Sequence, residues 1–140
     1  MAKILIKLVD DAYGFEAMDE NGHTARMDAA EAIGGHNSGF RPMQTLLMGL
    51  GGCGGVDIIS ILKKQKQEVK AFEMIITGER EPGKEPSLWK QVHIHFRFNG
   101  NIDKDKAHKA CSLSIDKYCS VAATLRAAGC SIDWEIEIVN

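Results

Sequence analysis

The chain has 140 residues, 44% of them apolar and 26% charged, and a formal net charge of −2. That size suits one ordinary domain able to bury a core without disulfides or a structural metal. The slight acidity argues against a general binder of nucleic acid or anionic membrane, since both call for a basic face.

The start, MAKILIKLVD, has neither the long apolar stretch nor the small-residue cleavage site of a secretory signal. Four cysteines without a CxxC spacing then imply a reducing, cytoplasmic setting and free thiols. KILIKLV (3–9) alternates and predicts a strand. Residues 13–29 read as two strands around Asn21-Gly22, a hairpin turn signal. A glycine-rich loop (33–42) ends at Pro42, which suits the first turn of a helix running to about Gln67. Two alternating strands follow at 69–81 and 88–100, separated by Pro82-Gly83 and Pro86. Residues 102–118 predict a helix capped near Asp103, and 119–129 a second, short helix with Gly129 just past its end. Residues 131–139 close with a strand. This order does not alternate as in a doubly wound sheet. It predicts an α+β fold of mostly antiparallel strands in one domain, 1–140.

The stretch MGLGGCGGVDIIS (48–60) places five glycines around Cys53 in a helical rhythm. Each helix-interior glycine costs ~1 kcal/mol against alanine. Gly51, Gly54 and Gly55 share a face and would leave a smooth strip beside the sulfur, for a closely packed element or a small substrate. Tight packing with Cys53 as filler is the plain alternative. GLGGCG also imitates a dinucleotide fingerprint, although the preceding strand would be short. Residues 43–62 tempt a membrane-span reading, which Gln44, Asp57 and Ser60 interrupt.

Two segments carry a resemblance. FRPMQTLLMGLGGCGGVDIISILKKQKQ (40–67) is similar to the central helix of the OsmC/Ohr family of thiol-dependent hydroperoxide reductases. KYCSVAATL (117–125) resembles that family's second motif, Cys-x-Val followed by a short helix. The glycine-rich form of the first motif points to an OsmC-like branch rather than the Ohr branch. The resemblance implies an OsmC-like fold, with antiparallel sheets wrapped around long central helices in an intertwined homodimer. It implies chemistry without metal or organic cofactor: Cys53 attacks an organic hydroperoxide as thiolate and becomes a sulfenic acid, and Cys119 condenses with it to a disulfide. An external thiol, a protein-bound dihydrolipoyl group for one, would reset the pair.

Family members also supply an arginine held by a carboxylate placed shortly after the proline. Arg26 and Arg41 are the candidates here, and Gln44 stands where relatives carry Glu. Gln44 can orient an arginine but cannot act as a base. That departure keeps a second reading open, a weakly active or non-catalytic binder of small ligands. Asp57, one turn after Cys53, is expected to raise the thiol pKa if it faces the sulfur.

Lesser candidates are His93 and His95, which share a strand face but lack a third zinc ligand of convincing spacing. His36 lies in the glycine-rich loop, over a pocket or in solvent. Cys111 and Cys130 read as packing positions, and Phe40, Met43 and Met48 as channel lining or core.

Overall fold

The computed structural model describes residues 1–139. The chain divides into two compact units, Met1–Leu46 and a second from Leu47 onward. In the first, β1 (Leu5–Leu8), β2 (Phe15–Met18) and β3 (Thr24–Met27) form an antiparallel sheet in that order. The turn between β2 and β3 carries Gly22 at φ +85°, a conformation that glycine adopts freely. The Asp19 carboxylate fixes this turn by accepting from the Asn21 and His23 N–H groups. A short 3₁₀ turn, Glu31–Ile33, leads into the glycine-rich loop.

Helix α1 runs Pro42–Lys64, with proline at its first position as expected. Arg41 N donates to Gln44 Oε1 at 3.0 Å and Gln44 N donates to Arg41 O at 2.9 Å. This is the reach-back half of a capping box. Lys63 and Lys64 lie in the last turn, where cations complement the helix dipole.

In the second unit, β4 (Glu68–Arg80), β5 (Trp89–Asn101) and β6 (Ser131–Val139) form a sheet with β5 in the middle. β4 and β5 pair antiparallel, whereas β5 and β6 are parallel. Helix α2 (Lys104–Leu113) starts at Asp103, whose carboxylate accepts from Lys106 N as anticipated. The predicted helix 102–118 is not uniform. It gives way to a π turn, Ser114–Tyr118, before α3 (Ser120–Ala127). Gly129, at φ +96°, ends α3.

The core of the second unit joins α1 (Leu50, Ile58, Leu62), the inner face of β5 (Val92, Ile94, Phe96, Phe98) and the helices after it (Ala110, Cys111, Ala122). Each large apolar side chain so buried contributes about 1.5–3 kcal/mol. Phe72 stacks on Phe98 with ring centroids 4.5 Å apart, tying β4 to β5. α1 is long and apolar enough to cross a membrane, but Leu50, Gly51, Gly54, Ile58 and Leu62 are buried in protein.

Candidate active site

Sequence reasoning leaves open what the glycines around Cys53 accommodate. A Cβ on Gly51 would lie 2.9 Å from Ile76 Cδ1 of β4, and one on Gly55 3.1 Å from Met74 Cε. A Cβ on Gly54 would lie 2.9 Å from Ile115 Cδ1 in the π turn. Of the two expected occupants of the strip, the structure shows a closely packed element: the chain's own side chains fill it, which recovers dispersion energy in place of helix propensity. Gly52 differs, since a Cβ there would meet nothing within 4 Å. The dinucleotide reading fails at the same place, because Gly49 to Gly54 lie inside α1 and make no strand-to-helix turn.

Gly54, next to Cys53, is seated on the π turn that leads to Cys119. α2 would carry residue 119 onward around its axis, but the π turn inserts an extra residue. Cys119 N donates to Ser114 O at 2.7 Å, an i to i−5 bond. Cys119 then leaves the helix in extended conformation as the N-cap of α3, its Sγ accepting from Ala122 N at 3.4 Å. Arg126, on α3, holds the turn from the other side by donating to Ile115 O at 2.6 Å and to Asp116 Oδ1 at 3.0 Å.

Half-buried Cys53 faces this same N-terminus. The Val121 N–H bonded to its sulfur pulls the thiol below its ordinary pKa, and the Cys119 thiol and Ser120 N–H act in the same direction. Burial and the charge of Asp57 oppose them. The effect expected of Asp57 thus has the anticipated sign but is outweighed. Cys119 is buried, and desolvation raises its pKa. All four cysteines are free thiols. Cys111, wholly buried, is pushed up to about 12, and burial raises Cys130 as well.

Asp57 has a partner that the sequence did not announce. Ser114, fully buried in the π turn, places Oγ 3.1 Å from Asp57 Oδ2 and 3.1 Å from the Gly54 carbonyl oxygen.

The arginine candidates and Gln44 belong to the first unit, around the glycine-rich loop. Buried Asp28 organises that loop, accepting from Ser38 Oγ at 2.7 Å, Ser38 N at 3.0 Å and His36 N at 3.1 Å. The Ser38 hydroxyl, with these backbone donors, holds the Asp28 carboxyl far below the usual range. Arg26 donates to Ser38 Oγ at 3.1 Å and pairs with Asp10 at 3.4 Å. Arg41 donates to Asn37 Oδ1 at 2.8 Å and Gly39 O at 3.1 Å. Gln44 does not hold a guanidinium as its position suggested, because its side-chain oxygen caps the Arg41 main chain. The carboxylate beside Arg26 comes from Asp10, which no motif flagged.

His36 is exposed and paired with Asp11 at 3.0 Å. His93 and His95 do share a face, opposite carboxylates of β6: His93 lies 2.6 Å from Asp133 and 3.1 Å from Glu135, and His95 3.0 Å from Glu135. No group of three or more His, Cys, Asp or Glu suited to a metal ion occurs among the described residues. Phe40 and Met48 are exposed rather than core.

Fold and site together define an α+β protein whose central helix carries one thiol against a second at the start of a later helix. A family model described as OsmC, OsmC-like protein, matches residues 35–135. Protein YhfA of Escherichia coli K12 is 39% identical over 112 residues, covering 77% of this chain and 78% of that one. A hypothetical protein of Aquifex aeolicus VF5 superposes with TM-score 0.81 at 29% identity, covering 100% of this chain and 98% of that one. An organic hydroperoxide resistance protein OsmC of Legionella pneumophila shares the fold, with TM-score 0.73 at 13% identity over 98% and 96% of the chains. The chain belongs to the OsmC family.

Proposed function

We propose that the protein is a thiol-dependent peroxidase that reduces organic hydroperoxides through Cys53 and Cys119. The observation that carries this is the N-cap position of Cys119 at α3, together with the lowering of the Cys53 thiol pKa by the Val121 N–H of that helix, with the Cys119 thiol acting in the same direction. Membership of a family that includes a hydroperoxide resistance protein supports the same reading. The Cys53 thiolate attacks the O–O bond, forming a sulfenic acid and releasing the alcohol. Cys119 then displaces hydroxide from the sulfenic sulfur; its thiol proton and that hydroxide leave as water, and a Cys53–Cys119 disulfide remains. An external dithiol, of the kind found in a reducing cytoplasm, restores both thiols.

The working unit in this reading is a homodimer. All four residues of β1, Leu5 to Leu8, are exposed, as are Phe15, Phe40, Met48 and Val56. Consecutive exposed apolar residues on both faces of one strand call for a cover, and a second copy supplies it. Arg26, fixed by Asp10 and Ser38, is the stronger candidate for a cation brought near a sulfur on pairing. Arg41 is the other.

The test is steady-state consumption of tert-butyl hydroperoxide with dithiothreitol present. The proposal predicts turnover orders of magnitude above the uncatalysed rate, lost in Cys53→Ser. Wild-type turnover no faster than the uncatalysed rate would leave only a ligand-binding role.

A further inference from the structure

We infer that Arg126 is the positioning residue for the second thiol: its guanidinium holds the turn before α3 in π form, and so sets Cys119 where it closes a disulfide with Cys53. The inference rests on the two-cysteine reading above and concerns its closing step. In that step the Cys119 sulfur bonds the Cys53 sulfur, and the sulfenic hydroxyl leaves as water with the Cys119 proton.

An α-helix continued from α2 would give the Cys119 N–H to the Ile115 carbonyl, four residues back. That N–H goes instead to Ser114 O at 2.7 Å. Ile115 is buried, so its carbonyl needs a donor from the protein. Arg126 supplies one, with Nη1 donating at 2.6 Å. Nη2 donates to Asp116 Oδ1 at 3.0 Å and to Ile132 O of β6 at 3.1 Å. One planar fork thus ties the π turn to β6, from the helix that Cys119 itself caps. A lysine would keep the charge but lose the fork.

The guanidinium decides between two registers of the turn. Without it, the Ile115 carbonyl recovers a donor by taking back the Cys119 N–H. Residue 119 then becomes one more residue of α2. It gives up the extended conformation in which it caps α3, φ −71° and ψ 109°, and its Sγ loses the Ala122 N–H bonded at 3.4 Å. Cys53 stays where α1 carries it. A group that selects the π register therefore acts chiefly on the step that uses Cys119.

Dithiobisnitrobenzoate tests this without a hydroperoxide. One equivalent added to the reduced full-length chain reacts in two steps. The Cys53 thiolate attacks the reagent's disulfide and releases a first thionitrobenzoate; Cys119 then displaces the second from the mixed disulfide on Cys53. Stopped-flow absorbance gives both rates. Arg126→Met keeps the bulk of the stem without the donors, and should lower the ratio of the second rate to the first by about 10-fold or more, as for a misplaced reacting group. Arg126→Lys should fall between the two. An unchanged ratio overturns the inference, and so does an equal slowing of both steps, which a merely loosened fold would give. A wild type with no second release overturns it as well. Should the Met variant not fold, Arg126→Lys decides: a ratio below wild type supports the inference, and a ratio equal to it overturns the inference. Tert-butyl hydroperoxide, used on the wild type in place of the reagent, separates the two readings. A Cys53 that it never oxidises overturns the peroxidase reading and leaves the two-step result standing.

Discussion

Gly54 and Gly52 stand two residues apart in α1 and answer to different surroundings. A Cβ at 54 presses on Ile115, itself 2% exposed and unable to swing aside. Overpacking of this kind costs about 1–3 kcal/mol, against ~1 kcal/mol gained in helix propensity. Gly54→Ala is therefore expected to destabilise the chain by about 1 kcal/mol, a drop of several degrees in Tm by differential scanning fluorimetry. An unchanged or higher Tm would show that the π turn yields. The residue scale was also the most legible in sequence. The glycines and Cys53 stood out by type and spacing, and Cys119 through the resemblance of its segment to a family motif. Asp10, Asp28 and Ser114 did not, because a carboxylate or hydroxyl in a turn looks ordinary until the chain folds donors onto it.

At the scale of elements, hydrophobic period and punctuation made the order of strands and helices readable. Asn21-Gly22, Pro42, Asp103 and Gly129 each mark a boundary that exists. The π turn was hidden, since no residue type demands a bond from Cys119 N to Ser114 O; the fit of Ile115 and Ser114 against α1 selects it. The parallel pairing of β5 with β6 was hidden for a related reason, as it depends on contacts some forty residues apart in the chain. That pairing sets up a pH dependence. The Asp133 carboxylate, then Glu135, raises the pKa of His93 above the ordinary imidazole value near 6.5. A raised folded-state pKa stabilises the fold fully below the unfolded value and loses that contribution as pH rises through the folded value. His93 is 38% exposed, so the effect is modest. Thermal melts should show wild type losing stability relative to His93→Gln between pH 6 and pH 8.5. A difference that stays constant over that range would remove the ion pair from the account.

For the whole molecule, the exposed apolar residues of β1 and α1 argue that the single chain is not the finished object. Gly52 sharpens the point. Nothing in its own chain fills the space a methyl group would take, so in a solitary chain Gly52→Ala gains ~1 kcal/mol of helix propensity. If a second copy packs on this face, the same substitution weakens pairing. Sedimentation equilibrium should therefore find a wild-type dimer and a looser Gly52→Ala dimer. A monomeric wild type with a stabilised variant would contradict the paired architecture.

The peroxidase reading depends on Cys53 of α1 and Cys119 at the start of α3 acting as one redox unit. Reduced protein should be treated with one equivalent of tert-butyl hydroperoxide, its free thiols counted and its peptides mapped by mass spectrometry. The account predicts two thiols lost per chain, a Cys53–Cys119 cross-link, and no such link in Cys119→Ser. Unchanged thiol counts, or a disulfide that joins other cysteines, would contradict it.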